Sequence, residues 1–188
     1  MTETPNPHIV DTDTLTGEMH PIRRCVLAIG SNLGERRNNL QGAVSSLADT
    51  PEVWVTAVSP VYETEPVDAP DGSKMFLNAV VLADTTLSAR TLLDRALAIE
   101  DAYGRERSEP GAPRTLDVDL IVVGDRRAAE PDMVLPHPRA HQRAFVLAPW
   151  NDLEPDAELL DQGPVAELLA KADTDGIARR DDITLTLQ

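Results

Sequence analysis

Residues 115–123 read Thr115-Leu116-Asp117-Val118-Asp119-Leu120-Ile121-Val122-Val123, and the change of pattern inside this run constrains the fold more than any other feature of the chain. Its first half alternates polar and apolar residues, the signature of a strand with one covered face. Leu116, Val118 and Leu120 share that face, and Thr115, Asp117 and Asp119 share the other. The second half is apolar without interruption, which suits a strand covered on both faces. The carboxylates therefore lead directly into a region where an unpaired charge is costly. Two carboxylates at this spacing have Cα atoms roughly 6.5 Å apart. They can converge on a hard cation such as Mg2+, which takes one or two carboxylates plus phosphate oxygens. Arg114 just upstream adds a fork suited to phosphate. The competing reading puts both aspartates on the solvent face of an edge strand; the apolar run favours a ligand role.

The remaining charges point the same way. A net charge of -15 argues against a general nucleic-acid or anionic-membrane binder. Yet Arg105, Arg107, Arg114, Arg126, Arg127, Arg139 and Arg143 supply seven of the 17 basic residues within 39 positions. An acidic chain with a local arginine cluster suggests a small polyanion held in a pocket. The 188 residues suffice for one domain with a real core. The single cysteine, Cys25, excludes an intrachain disulfide framework, fits a reducing compartment and lies in an apolar strand pattern that suits core filling. No basic-then-apolar leader and no apolar run near ~18 residues are present, so a soluble, cytoplasmic protein is expected.

Residues 1–20 are rich in Thr, Asp, Pro and Glu and read as a disordered tail ahead of a single domain over 21–188. A first strand over 22–29 runs into Gly30-Ser31-Asn32, followed by a helix over 35–48. Strands are expected over 53–61 and 75–83, separated by a turn-rich loop at 66–73. Ser88 should cap a second helix reaching Tyr103 and closed by Gly104. After a polar loop at 105–113 comes the strand with the aspartates. Pro136-His137-Pro138 breaks the chain, a short helix is expected over 140–147, and 165–171 is amphipathic. The order βαββαβ gives an α+β sandwich on a ferredoxin-like plan, with a mainly antiparallel sheet and helices packed on one face.

Within this frame Glu100 falls in the middle of the apolar face defined by Leu93, Ala96 and Leu97. Buried glutamates are uncommon unless paired, so Glu100 is either a structural carboxylate bonded to an arginine or the floor of a ligand site. Phe76 and Asn78 share a strand face, a stacking ring beside an amide that both donates and accepts. That pair suits a flat heterocycle, although a core Phe beside a turn-bonded Asn would look the same. His137 and His141 have metal-ligand spacing, but no third ligand with a matching motif accompanies them. A phosphate clamp by His137 and Arg143 is the better functional reading, against simple capping and solvated charge. Gly30-Ser31-Asn32 resembles a phosphate-binding turn, with a plain tight turn favoured over it.

Taken in order, these segments resemble the bacterial 6-hydroxymethyl-7,8-dihydropterin pyrophosphokinases of folate biosynthesis. The resemblance rests on residues 28–34, Tyr62-Glu63-Thr64-Glu65-Pro66, Phe76-Leu77-Asn78-Ala79, Glu100 with Gly104-Arg105, residues 113–119, and Pro136-His137 through Arg143-Ala144-Phe145. It covers roughly residues 22–160. It implies an ATP-dependent diphosphotransferase in which Asp117 and Asp119 hold two Mg2+ ions on the phosphates of ATP. Arg105 and Arg114 resemble catalytic arginines; Arg107, His137 and Arg143 resemble residues gripping the triphosphate; Glu100 resembles a nucleotide-side acid. Phe76 and Phe145 would sandwich the pterin, with Asn78 on its pyrimidinone edge and Thr64 and Val67 giving backbone contacts. The resemblance implies ATP and the pterin as partners, without nucleic acid or membrane, and a monomer is expected.

One departure stands out. Family members commonly carry Arg-Trp-Gly before Pro-Arg, whereas this chain reads Pro110-Gly111-Ala112. The missing Trp implies altered lid closure or weaker ATP binding, as do Val134 and Pro138 near the nucleotide. Two other classes compete: a Mg-dependent nucleotidyltransferase, since Gly30-Ser31 and the aspartates echo that motif at far greater spacing, and a non-catalytic nucleotide-sensing module.

Overall fold

The computed structural model describes residues 20–66, 71–104 and 115–187. The expected tail, the Val67 contact and the arginines at 105, 107 and 114, with the lid departure, lie outside the described residues. β1 (Arg23–Ser31), α1 (Arg36–Ala48), β2 (Val53–Val58), β3 (Val61–Thr64), β4 (Phe76–Thr85), α2 (Ala89–Ala102) and β5 (Asp117–Val123) form the first part. A hairpin of β6 (Ala128–Glu130) and β7 (Met133–Leu135) follows, then a 3-10 turn (Ala140–Gln142) and α3 (Ala144–Leu153). β8 (Glu158–Leu159), β9 (Gly163–Pro164), α4 (Val165–Lys171) and β10 (Ile177–Arg180) complete it.

The main sheet has six strands in the order β10-β3-β4-β1-β5, with β2 also on β4, and every pairing is antiparallel. The single strand expected over 53–61 is thus two. Pro60 has no N–H to donate, and Ser59 breaks the ladder: its N–H donates to Val80 O at 2.9 Å while its hydroxyl accepts from Val80 N at 2.8 Å. β2 then runs against one half of β4 and β3 against the other.

Helices cover both faces of the sheet, which corrects the expectation of one. On one face Leu27, Ile29, Ala79 and Val81 pack with Leu40, Val44 and Leu47 of α1 and Leu92 and Ala96 of α2. On the other, Val26, Val80, Leu82, Ile121 and Val122 pack with Val146, Leu147 and Trp150 of α3. The apolar end of β5 is covered on both sides as its sequence requires. It reaches both through a register shift opposite Val26/Leu27, where Val26 pairs with Val122 and Leu27 with Leu120. The extra residue, Ile121, puts two consecutive side chains on the α3 face. Cys25 is buried and donates to Ala83 O at 3.3 Å. Burial, reinforced by Asp84, pushes its thiol up to about 12, in keeping with a core residue rather than a nucleophile.

Ser88 caps α2 by accepting from Thr91 N, and Gly104 follows in the left-handed region, both as expected. The buried face of α2 is Ala89, Leu92, Ala96, Ile99 and Glu100, rotated from the one expected; Leu97 is exposed. The helix expected over 140–147 is a 3-10 turn followed by α3, which continues through Pro149.

Candidate active site

Strand register brings the separate sequence signals onto one face. In the paired ladders Gly30 of β1 is opposite Asn78 on one side and Asp117 on the other. One step along, Ala28 is opposite Val80 and Asp119. Residues paired across neighbouring strands point to the same face. The Phe76/Asn78 face and the two aspartates, some forty positions apart in sequence, therefore flank one glycine on the α3 side of the sheet. Strands about 4.8 Å apart put the Cα atoms of Asn78 and Asp117 about 10 Å from each other.

Gly30 is consequently neither a turn nor a phosphate loop; it is a strand residue whose missing side chain makes room. A Cβ there would sit 2.7 Å from Asn78 Oδ1 and 3.6 Å from Phe76 Cδ1. The Asn78 amide is held in place from the other side, where its Nδ2 donates to Thr64 Oγ1 at 2.7 Å. Asn39 of α1 latches the entrance of β5, with its Nδ2 3.2 Å from Thr115 O and 3.0 Å from Leu33 O.

Glu100 is inward-facing and buried. Its Oε1 accepts from the N–H of Val118 at 2.8 Å, so α2 is tied to the peptide between the two aspartates. This backbone amide, on the strand that carries both aspartates, is a partner that no spacing within α2 predicts.

Arg143 and Phe145 come from the start of α3. The Arg143 guanidinium lies over the Phe145 ring, 5.4 Å from its centroid. Burial lowers the pKa of Arg143 and Arg139 adds to that, while the charges of Asp119 and Asp117 oppose it. This arginine thus shares the electrostatic environment of both carboxylates. His137 joins the same group through its N–H, which donates to Ile121 O of β5 at 2.8 Å. Its Nδ1 accepts from Arg139 N at 3.1 Å, which leaves Nε2 as the donor of a neutral ring.

Burial first, then the positive charges of Arg143 and Arg139, hold the His137 pKa down at about 4, against an ordinary value of 6.5. Between those values the unfolded chain binds more protons than the folded one, so this residue makes stability rise with pH across that window. His137→Asn keeps an acceptor for the Arg139 N–H and removes the titration. In urea titrations the stability of the wild type relative to this variant should therefore fall as pH drops from 6.5 towards 4. A constant difference over that interval would mean that the folded imidazole titrates normally.

A cavity of about 320 Å³ opens beside these groups, lined by Thr64, Arg143 and Phe145 and also by Glu65, Asp175 and Ile177. The last two belong to the turn before β10 and to β10 itself, outside every sequence motif described above. β10 reaches the site because it pairs antiparallel with β3, Ile177 opposite Thr64. Among the described residues no three His, Cys, Asp or Glu side chains converge as a metal cage. The oxygen donors of Asp117 and Asp119 fit a hard cation that draws its remaining ligands from water and substrate phosphates.

A carboxylate pair beside a half-buried arginine, facing an aromatic and amide surface across one strand, suits a phosphoryl-group transferase on an antiparallel α+β sheet. A family model described as 7,8-dihydro-6-hydroxymethylpterin-pyrophosphokinase matches residues 26–155. The chain belongs to this family, whose members are ATP-dependent diphosphotransferases. It is 40% identical over 158 residues to 2-amino-4-hydroxy-6-hydroxymethyldihydropteridine pyrophosphokinase of Pseudomonas aeruginosa, covering 84% of this chain and 97% of the relative. The enzyme of the same name from Mycobacterium tuberculosis is 41% identical over 175 residues, covering 86% and 89%. A solved Plasmodium falciparum HPPK-DHPS structure with pterin and p-hydroxybenzoate superimposes with a TM-score of 0.63 over 82% of this chain at 14% identity. That likeness concerns the fold, and this chain spans 44% of the length of the Plasmodium chain. No helix among the described residues is long and apolar enough to cross a membrane.

Proposed function

We propose that this chain transfers the terminal pyrophosphoryl group of ATP to the hydroxymethyl oxygen of 6-hydroxymethyl-7,8-dihydropterin, releasing AMP, in folate biosynthesis. The observation that carries this reading is the row Asn78–Gly30–Asp117, which sets a heterocycle-type surface beside a phosphate-type one. On the pterin side, Phe76 and Phe145 supply the stacking rings, Asn78 offers its amide to the pyrimidinone edge, and Thr64, with Val67, the backbone contacts.

On the ATP side, Asp117 and Asp119 would hold Mg2+, two ions in this reading, which when bound neutralises charge on the phosphate oxygens. Arg143 donates to those oxygens from a half-buried position, where a charge-assisted bond is stronger than in water. His137 donates through Nε2 without adding charge. Glu100 serves as the nucleotide-side acid, and Arg105, Arg107 and Arg114 complete the set of phosphate donors. With both substrates aligned, the hydroxymethyl oxygen bonds to the β-phosphorus as the bond from that phosphorus to the α-phosphate oxygen breaks. The hydroxyl proton passes to water, and AMP leaves with the bridging oxygen and the electron pair of the broken P–O bond.

The same reading treats the βαββαβ core as ferredoxin-like, supported by β4 and β1 lying at its centre. It has one catalytic domain over 21–188, working as a cytoplasmic monomer on two small molecules. The net charge of -15 supports a partner list without nucleic acid or anionic membrane.

Product analysis tests the reaction. With ATP, Mg2+ and the dihydropterin, AMP should accumulate in step with the pterin diphosphate. Release of free pyrophosphate instead would point to nucleotidyl transfer, and nucleotide binding without turnover to a sensing module.

A further inference from the structure

Arg36 opens α1, and its Nη1 donates twice: to Glu63 Oε2 at 2.8 Å and to Met75 O at 2.9 Å. Glu63 precedes Thr64 on β3, and Met75 precedes Phe76 at the start of β4. One guanidinium thus joins the open ends of two strands, at the end of the sheet that carries Thr64, Phe76 and Asn78. The location matters because the β1 ladder stops short of it. β1 pairs with β4 only as far as Leu77, so among the described residues Phe76 has Thr64 as its sole ladder partner.

Other contacts converge on the same place. Asn32 Nδ2 donates to Lys74 O at 3.2 Å. Glu63 Oε2 also accepts from Arg180 Nη1 at 3.1 Å, which draws β10 into the clasp. The Arg36 and Glu63 side chains are 28% and 21% exposed, so this pair is shielded more than a surface ion pair of little worth.

We infer that Arg36 is a positioning residue for the pterin half of the site, holding the β3 and β4 ends in the register that sets Phe76 and Asn78. It rests on the proposed reading of that face as the pterin surface. Arg36 acts through Glu63 and the Met75 carbonyl, and the ATP half of the site, on β5 and on His137 and Arg143 ahead of α3, does not depend on it.

Arg36→Met keeps the aliphatic stem and removes both bonds. The KM for the dihydropterin should rise about tenfold, equivalent to about 1.4 kcal/mol, while the KM for ATP and kcat at saturating pterin stay within about twofold. Arg36→Lys, which can still reach one of the two acceptors, should recover most of the loss. Amide hydrogen exchange supplies a readout without turnover: residues 62–65 and 75–78 should exchange faster in Arg36→Met, and Val118 should not. A parallel rise in both KM values, or unchanged exchange at 62–65 and 75–78, overturns the inference. Should the wild type release no AMP, the proposed reaction falls, and the exchange pattern alone then decides whether Arg36 is the clasp.

Discussion

Replacing Asp117 with asparagine is expected to lower AMP release by about a thousandfold while the fold stays intact. The amide has nearly the volume of the carboxylate and still accepts hydrogen bonds, so the half-buried end of β5 can pack as before. What disappears is charge. A cation on this face gets only two carboxylates from the described residues, and losing one removes several kcal/mol of transition-state stabilisation, on the order of 10³ in rate. Asp119→Asn should behave alike. The double variant should be little worse than either single one, because groups that act as a unit are not additive. Rates at saturating ATP across a Mg2+ titration, with thermal melts as the folding control, provide the measurement. Activity within about tenfold of wild type in either variant would remove the aspartates from the chemistry.

Glu100→Leu is expected to cost about 2–3 kcal/mol of stability, and Glu100→Gln much less. Glu100 Oε1 accepts from Val118 N at 2.8 Å. The leucine leaves that buried amide without an acceptor, and an orphaned donor costs its full desolvation penalty. Glutamine preserves an oxygen in the same place. Because Val118 lies between Asp117 and Asp119, the leucine variant should also lose turnover through displacement of β5. A nucleotide contact by the carboxylate would appear separately, as a raised KM for ATP in Glu100→Gln with stability kept. Urea unfolding of both variants gives the comparison. Equal destabilisation by Leu and Gln would mean that the carboxylate charge, and not the acceptor, holds the strand.

Much of this was legible in local pattern. The Ser88 cap, Gly104 and the amphipathic segment at 165–171 are signals carried by a few consecutive residues, and α2 and α4 lie where those signals put them. The alternating half of β5 likewise revealed which face bears Asp117 and Asp119. What escaped depends on partners distant in sequence. Ser59-Pro60 splits a strand because Val80 supplies what Ser59 needs. The four residues of β10 are too short and too charged to signal a strand, and they become one only by pairing with β3. Glu100 was visible as a violation of its helix face, but no property of α2 could say that it binds the amide of Val118. Gly30 looked like a turn because glycine usually marks one; its reason for being glycine is the Asn78 side chain across the ladder.

The row of partners from Asn78 through Gly30 to Asp117 makes the backbone a ruler. In the proposed reaction the separation between the pterin and phosphate surfaces is counted in whole strands, about 4.8 Å each, and is kept by ladder hydrogen bonds rather than by the rotamers of long side chains. Loops around such a site can vary in length and composition and change how tightly each substrate is held. In the proposed reaction the distance over which the pyrophosphoryl group must travel would stay the same.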